Sequence, residues 1–191
     1  MPPHKTPAPF LMLSDADRLP DWQALIAAHP SAVGLVLRDY AHPKRAHLAA
    51  QMAQACRKQG RYFSVAGDAR LAASVGAAFH CPSYMLARPA LRHGRAAPQD
   101  SAAVHNMAEL IAAQRAGFRS VLIAPAFATR SHPGARPLGA MRAAVLLRAA
   151  RQMGLAAYAM GGMGWARWRR LGGFKAASGF AAIDAFNSDS A

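Results

Sequence analysis

Apolar and polar positions fall in blocks along this chain, and the blocks repeat. Short apolar-rich runs stand at "FLML" (10–13), "AVGLVLR" (32–38), "RYFSVA" (61–66), "AAFHC" (77–81), "DSAAV" (100–104), "SVLIA" (120–124), "LAAYAM" (155–160) and "FKAAS" (174–178). Most carry no residue-by-residue polar alternation, the pattern of strands covered on both faces. Between them lie longer stretches with helical spacing: 21–29, 44–60, 68–76, 105–117, 138–154 and 165–173, with a last one at "FAAIDAF" (180–186). Gly60 and Gly76 are stop signals, and Asp68 stands where a helix N-cap belongs. A Pro- and Arg-rich interval separates the fourth and fifth strands. Eight strands, with a helical stretch after every one but the fourth, predict an α/β fold with a parallel sheet. A single compact (β/α)8 barrel accounts for eight units; an open doubly wound sheet is the competing arrangement and usually needs fewer.

Composition narrows this to one domain. The chain has 191 residues, 53% of them hydrophobic, enough for one good-sized core and too apolar for disorder. Residues 1–9, "MPPHKTPAP", read as a flexible proline-rich arm without a secretory h-region, leaving 10–191 as the folded unit. No apolar run reaches membrane-spanning length. Cys56 and Cys81 have no metal-ligand spacing, so a reduced, cytoplasmic protein is expected. The formal charge of +14 attracts anions. It is spread through every segment, with "RWRR" (167–170) its densest block, which argues for a small anionic ligand over nucleic acid. Trp165 and Trp168 read as helix packing beside a solvated basic face that includes Arg167 and Arg169.

In a barrel of this kind, chemistry sits at the C-terminal ends of the strands. That rule collects Arg38, Gly67-Asp68, His80, His105, the loop "PAFATRSH" with Thr129, Arg130, Ser131 and His132, the pair Gly161-Gly162, and Ser178-Gly179. "AMGGMG" (159–164) after the seventh strand and "SGF" (178–180) after the eighth let backbone N–H groups approach an anion, so a phosphate cradle is expected there. His105 ends the fifth strand, where an imidazole can exchange a proton near neutral pH. Arg38 ends an apolar strand and should leave the core toward an anion or a carboxylate.

With these positions placed, the chain resembles the thiamine-phosphate synthase/TenI family from "FLMLSD" to "SGFAAI". The resemblance is carried by "LVLR", "VAGDARLAASVGAAFHC", "AVHNMAELIAAQRAGFRSVLIAPAFATRSH" and "YAMGGM", in the family's order. It implies a TIM barrel that binds thiazole phosphate. Arg38, Asp68, Thr129 and Ser131 match the substrate-binding pattern, with His132 at a loop position the family fills with Lys. Gly161, Gly162, Ser178 and Gly179 fall on the phosphate cradle. The synthase branch condenses thiazole phosphate with hydroxymethylpyrimidine pyrophosphate using Mg²⁺. The TenI branch moves a proton on the thiazole without metal, through a histidine that falls on His105. Val36, Tyr40, Gly67 and Met85 stand where the synthase pattern has Gln, Lys, Asn and a metal-binding Asp. These departures favour the tautomerase branch and no cofactor; Asp68 is the ligand if Mg²⁺ is bound. Condensation and a non-catalytic phosphate-binding or regulatory relic are the alternatives, and a homo-oligomer is compatible with either.

Overall fold

The computed structural model describes residues 7–87, 96–130, 134 and 136–186. Eight strands close into one barrel in chain order, every neighbouring pair parallel. They are β1 (Phe10–Leu13), β2 (Val33–Leu37), β3 (Phe63–Ala66), β4 (Ala78–Cys81), β5 (Ser101–Val104), β6 (Ser120–Ile123), β7 (Ala156–Met160) and β8 (Gly179–Ala182). The described helices are α1 (Trp22–Ala28), α2 (Arg45–Lys58), α3 (Ala69–Ser74), α4 (Met107–Arg115), α5 (Gly139–Gln152) and α6 (Trp165–Arg170). The closed barrel decides between the two arrangements the pattern left open.

Helix starts follow local chemistry. Asp21, Asp68 and Asn106 each accept a hydrogen bond from the N–H three residues on, at 2.9–3.0 Å. At α4 the box is reciprocal, because Glu109 accepts from the His105 N–H at 2.7 Å and from the Asn106 amide at 3.0 Å.

The eighth unit differs from the sequence reading. "FKAAS" is not a strand: Gly172 and Gly173 take positive φ, a 3₁₀ turn follows over Gly173–Lys175, and Phe174 is exposed. The strand is "GFAA", five residues later, and "DAF" (184–186) is a second 3₁₀ turn where a helix was expected. Burial explains the shift. β8 is buried at all four positions and must lie between β1 and β7. Gly179 admits a crossing chain at its base, since a Cβ there would lie 1.6 Å from the Pro9 carbonyl oxygen. Phe180 N–H donates to that same oxygen at 3.1 Å, and the Tyr158 hydroxyl donates to Pro7 O at 2.9 Å. Residues 7–9, the end of the expected arm, are therefore packed against the barrel floor. Trp165 and Trp168 pack with Phe10, Phe180 and Phe186 around this seam, as helix packing requires.

The barrel interior holds polar groups below its mouth. His80 is 5% exposed and its Nδ1 lies 2.8 Å from Ser101 Oγ, on the register-paired residue of β5. Burial pushes the imidazole down to about 4. Tyr62 lies across Gly34, where a Cβ would come within 3.0 Å of its ring, and donates to Gln99 O.

Candidate active site

A cavity of about 640 Å³ opens at the C-terminal ends of the strands. Leu13, Arg38, Ala124, Met160 and Ala181 form its base, supplied by β1, β2, β6, β7 and β8 or the first residue beyond them. The loop after β1 is tied to β2. Ser14 Oγ accepts from the Arg38 N–H at 2.8 Å and donates to the Asp39 carboxylate, which also accepts from Ala16 N–H. This network holds Arg38 at the rim.

His105 lines the cavity one residue beyond β5. Its backbone is fixed by Glu109, and its Nδ1 lies 2.5 Å from the Ala124 carbonyl oxygen. A carbonyl only accepts, so Nδ1 carries the proton in this contact and Nε2 is left with its lone pair.

The loop after β6 lies on the turn after β7. Ala126 N–H donates to Met160 O at 2.7 Å, and Phe127 N–H to Gly161 O at 3.0 Å. Both glycines have positive φ, 90° and 60°. Side chains would collide with the loop: a Cβ at Gly161 would sit 2.9 Å from Pro125 Cα, and one at Gly162 2.3 Å from Ala128 O. The N–H groups of Gly161, Gly162 and Met163, which line the cavity, donate to no described partner. They are unspent donors at an opening rich in positive charge.

That charge comes from Arg18, Arg38, Arg130, Arg136 and Arg167, with Asp184 the one carboxylate on the wall. Asp184 Oδ2 accepts from Arg130 Nη2 at 2.8 Å and is also paired with Arg18 Nη2. Arg167 Nη1 donates to Gly162 O, and its guanidinium lies over the Phe127 ring, 5.1 Å from the centroid. A cationic cavity with a histidine on one wall has the groups needed to hold an oxyanion and to exchange a proton.

The side of the mouth above β3 and β4 lends no residue to the cavity. Tyr40 stands there, its ring Cε1 2.9 Å from where a Gly67 Cβ would be. Arg45 caps the ring at 5.7 Å and donates to Ala66 O and Asp39 O. Burial and the neighbouring Tyr84 phenol raise the Tyr40 hydroxyl above its usual range, against the pull of Arg38 and Arg45.

The structure thus brings Arg38, His105, Thr129, Gly161 and Gly162 to one cavity. Asp68 is not part of that wall; its carboxylate accepts from Leu71 N–H and caps α3. Ser178 and Gly179 are corrected outright. They lie at the N-terminal end of β8, with Ser178 N–H bonded to Ala157 O, on the floor and not at the mouth. The expectation rested on the misplaced eighth strand. Ser131 and His132 lie outside the described residues. Arg167 is exposed, as a basic helix face should be, and it also lines the cavity, which the sequence reading did not expect. A helical side chain leans back over the preceding turn, and from the third position of α6 it reaches the glycine loop. Asp184 and Arg18 were missed. Placing β8 at 179–182 would have put Asp184 two residues past a strand end; no pattern marked Arg18.

For a metal, the donor set is thin. No three His, Cys, Asp or Glu side chains converge among the described residues, and Asp68 is engaged as a cap. The residues described do not fit a resident Mg²⁺ site.

Among solved structures, thiamine phosphate pyrophosphorylase from Pyrococcus furiosus is similar over 96% of this chain and 90% of its own, with a TM-score of 0.71 at 16% identity. FabK from Thermotoga maritima gives a TM-score of 0.62 at 13% identity over 93% of this chain and 58% of its own. Citrate synthase SbnG gives 0.63 at 10% identity, over 93% and 86%. At such identities these likenesses show the barrel alone. No curated protein matches by sequence. The thiamine monophosphate synthase family model (TMP-TENI), by contrast, matches residues 13–186, from the last residue of β1 to the turn beyond β8, and so takes in every strand end that builds the cavity. On that match the chain belongs to the thiamine monophosphate synthase/TenI family.

Proposed function

We propose that this protein binds a thiazole phosphate and moves a proton on it, the tautomerase chemistry of its family, with His105 as the acid/base residue. One observation carries the reading: Nδ1 of His105 is engaged by the Ala124 carbonyl, so Nε2 is the ring atom with a free lone pair at the cavity. The unspent N–H groups of Gly161 and Gly162, with Arg38 and Arg167, take the phosphate; Thr129 on the β6 loop orients the ring. Nε2 accepts a proton from carbon and returns it at another ring position, with Nδ1–H held in place by its carbonyl throughout. This sequence needs no metal ion.

The condensation reading draws support from the name of the matching family model. It asks for a second substrate carrying a diphosphate; at the β3–β4 side of the mouth the half-exposed Tyr40 ring lies over Gly67, where the synthase pattern has a Lys and an Asn.

Turnover of a thiazole phosphate tautomer by wild type and His105→Ala tests the assignment. Removal of the base should lower kcat by about 10²–10⁴-fold. Intact turnover in the variant refutes it, whereas thiamine phosphate formation from both substrates, abolished by a chelator, establishes condensation. Failure to complement cells lacking either activity leaves phosphate binding without catalysis.

A further inference from the structure

We propose that Asp184 is a tethered anion that competes with the ligand for the arginines of the cavity, so that removing its charge tightens oxyanion binding. The proposal rests on reading the cavity as a phosphate site.

Asp184 sits two residues beyond β8, at the start of the 3₁₀ turn Asp184–Phe186, and lines the cavity. A single carboxylate oxygen, Oδ2, takes both Arg18 Nη2 from the loop after β1 and Arg130 Nη2 from the loop after β6. Two guanidinium groups converging on one oxygen form the arrangement a phosphoryl or carboxylate oxygen would occupy. Nothing else in the described wall offers negative charge, while three further arginines line the same space. Arg18 also keeps a weaker contact with Asp15, 3.8 Å away, and its side chain is 24% exposed against 80% for that of Arg130. Arg18 is therefore the anchored member and Arg130 the one that can turn to a ligand. In the absence of a ligand, Asp184 offsets part of the field that would otherwise draw anions non-selectively. A phosphate entering the cavity must share or displace that carboxylate. A dianion does this better than a monoanion, because its second charge offsets the lost pair.

The size of the effect follows from the charge. A unit charge about 6 Å from a bound anion is worth between threefold and a hundredfold in affinity, across effective dielectric constants of about 80 to 20. An Asp184→Asn substitution should therefore strengthen binding of inorganic phosphate by about tenfold.

The experiment is calorimetric titration of inorganic phosphate into wild type, D184N, R130A and the D184N/R130A double variant at one pH and ionic strength. D184N should bind more tightly. R130A should change little in wild type, where Arg130 is engaged by Asp184, and should weaken binding severalfold once Asp184 is neutral. D184S serves the same purpose if D184N does not fold, as judged by thermal unfolding. Equal or weaker binding by both D184N and D184S overturns the proposal. So does an R130A effect of the same size in both backgrounds, which would mean only a general field. Gly162→Val separates the two readings: if it abolishes phosphate binding while neutralising Asp184 changes nothing, the phosphate site stands and the role of Asp184 falls.

Discussion

Acidification should destabilise this barrel through one interior residue, His80. The imidazole is buried between β3 and β5, bonded through Nδ1 to Ser101 Oγ, and its folded value is pushed down to about 4 by loss of water. An unfolded histidine titrates near 6.5. Between those values the unfolded chain binds a proton that the folded chain refuses, so stability rises with pH and is lost as pH falls. At about 1.36 kcal/mol per pH unit, the loss relative to pH 7 is about 2 kcal/mol at pH 5 and about 3 kcal/mol at pH 4. Asp100, which accepts from Phe79 and Ala97 N–H, works in the opposite direction, since burial raises its carboxyl and acid relieves that cost. Its influence is removed by comparison with a variant. His80→Asn retains a polar group that can meet Ser101 and cannot take up a proton in this range. Urea unfolding followed by circular dichroism at pH 7, 6 and 5 should give a steeper fall for wild type than for H80N, the difference approaching 2 kcal/mol. Parallel curves would refute the argument and mean that His80 is protonated, or solvated, in the folded barrel.

Two further outcomes are expected. Arg167→Ala should weaken phosphate binding by about three- to tenfold, because its guanidinium lines the cavity, whereas Arg169→Ala should stay within about twofold, as solvated charges are screened beyond about 8 Å; equal effects on titration would refute the placement of Arg167. Gly67→Asn keeps a residue that tolerates φ of +75° but drives its Cβ to 2.9 Å from the Tyr40 ring, so it should cost about 1 kcal/mol in thermal unfolding, relieved in the Tyr40→Ala background. A G67N cost unchanged by Y40A would show that the two positions are independent.

Much of the fold was legible because burial on both strand faces leaves a local mark. Seven of the strands coincide with apolar runs, and the capping residue Asp68 announced its helix by type and position. The eighth strand failed for a physical reason. "FKAAS" and "GFAA" are similar in apolar content, and what separates them is tertiary: Gly179 must let Pro9 O cross its Cα, and no local pattern encodes that contact. The slip then carried Ser178 and Gly179 to the wrong end of the barrel and hid Asp184. The site divides along the same line. His105, Arg38 and the glycine pair sit at strand ends and could be found by counting. Arg18 and Arg167 reach the cavity by side-chain direction from loop and helix, information that strand ends do not contain.

Two departures from the synthase pattern that look separate in the sequence, Tyr40 for Lys and Gly67 for Asn, meet in the structure as one change. The ring fills the space that a side chain at 67 would need, and Arg45 holds it there through bonds to the ends of both β2 and β3. A large residue opposite a small one keeps the two positions in contact, with Tyr40 itself about half exposed at the rim. The proposed ligand has one anionic group and would be held on the other side of the mouth, by Gly161, Gly162 and the arginines around them. On the proposed reading, the half of the mouth with His105 on its wall serves proton transfer within a single substrate.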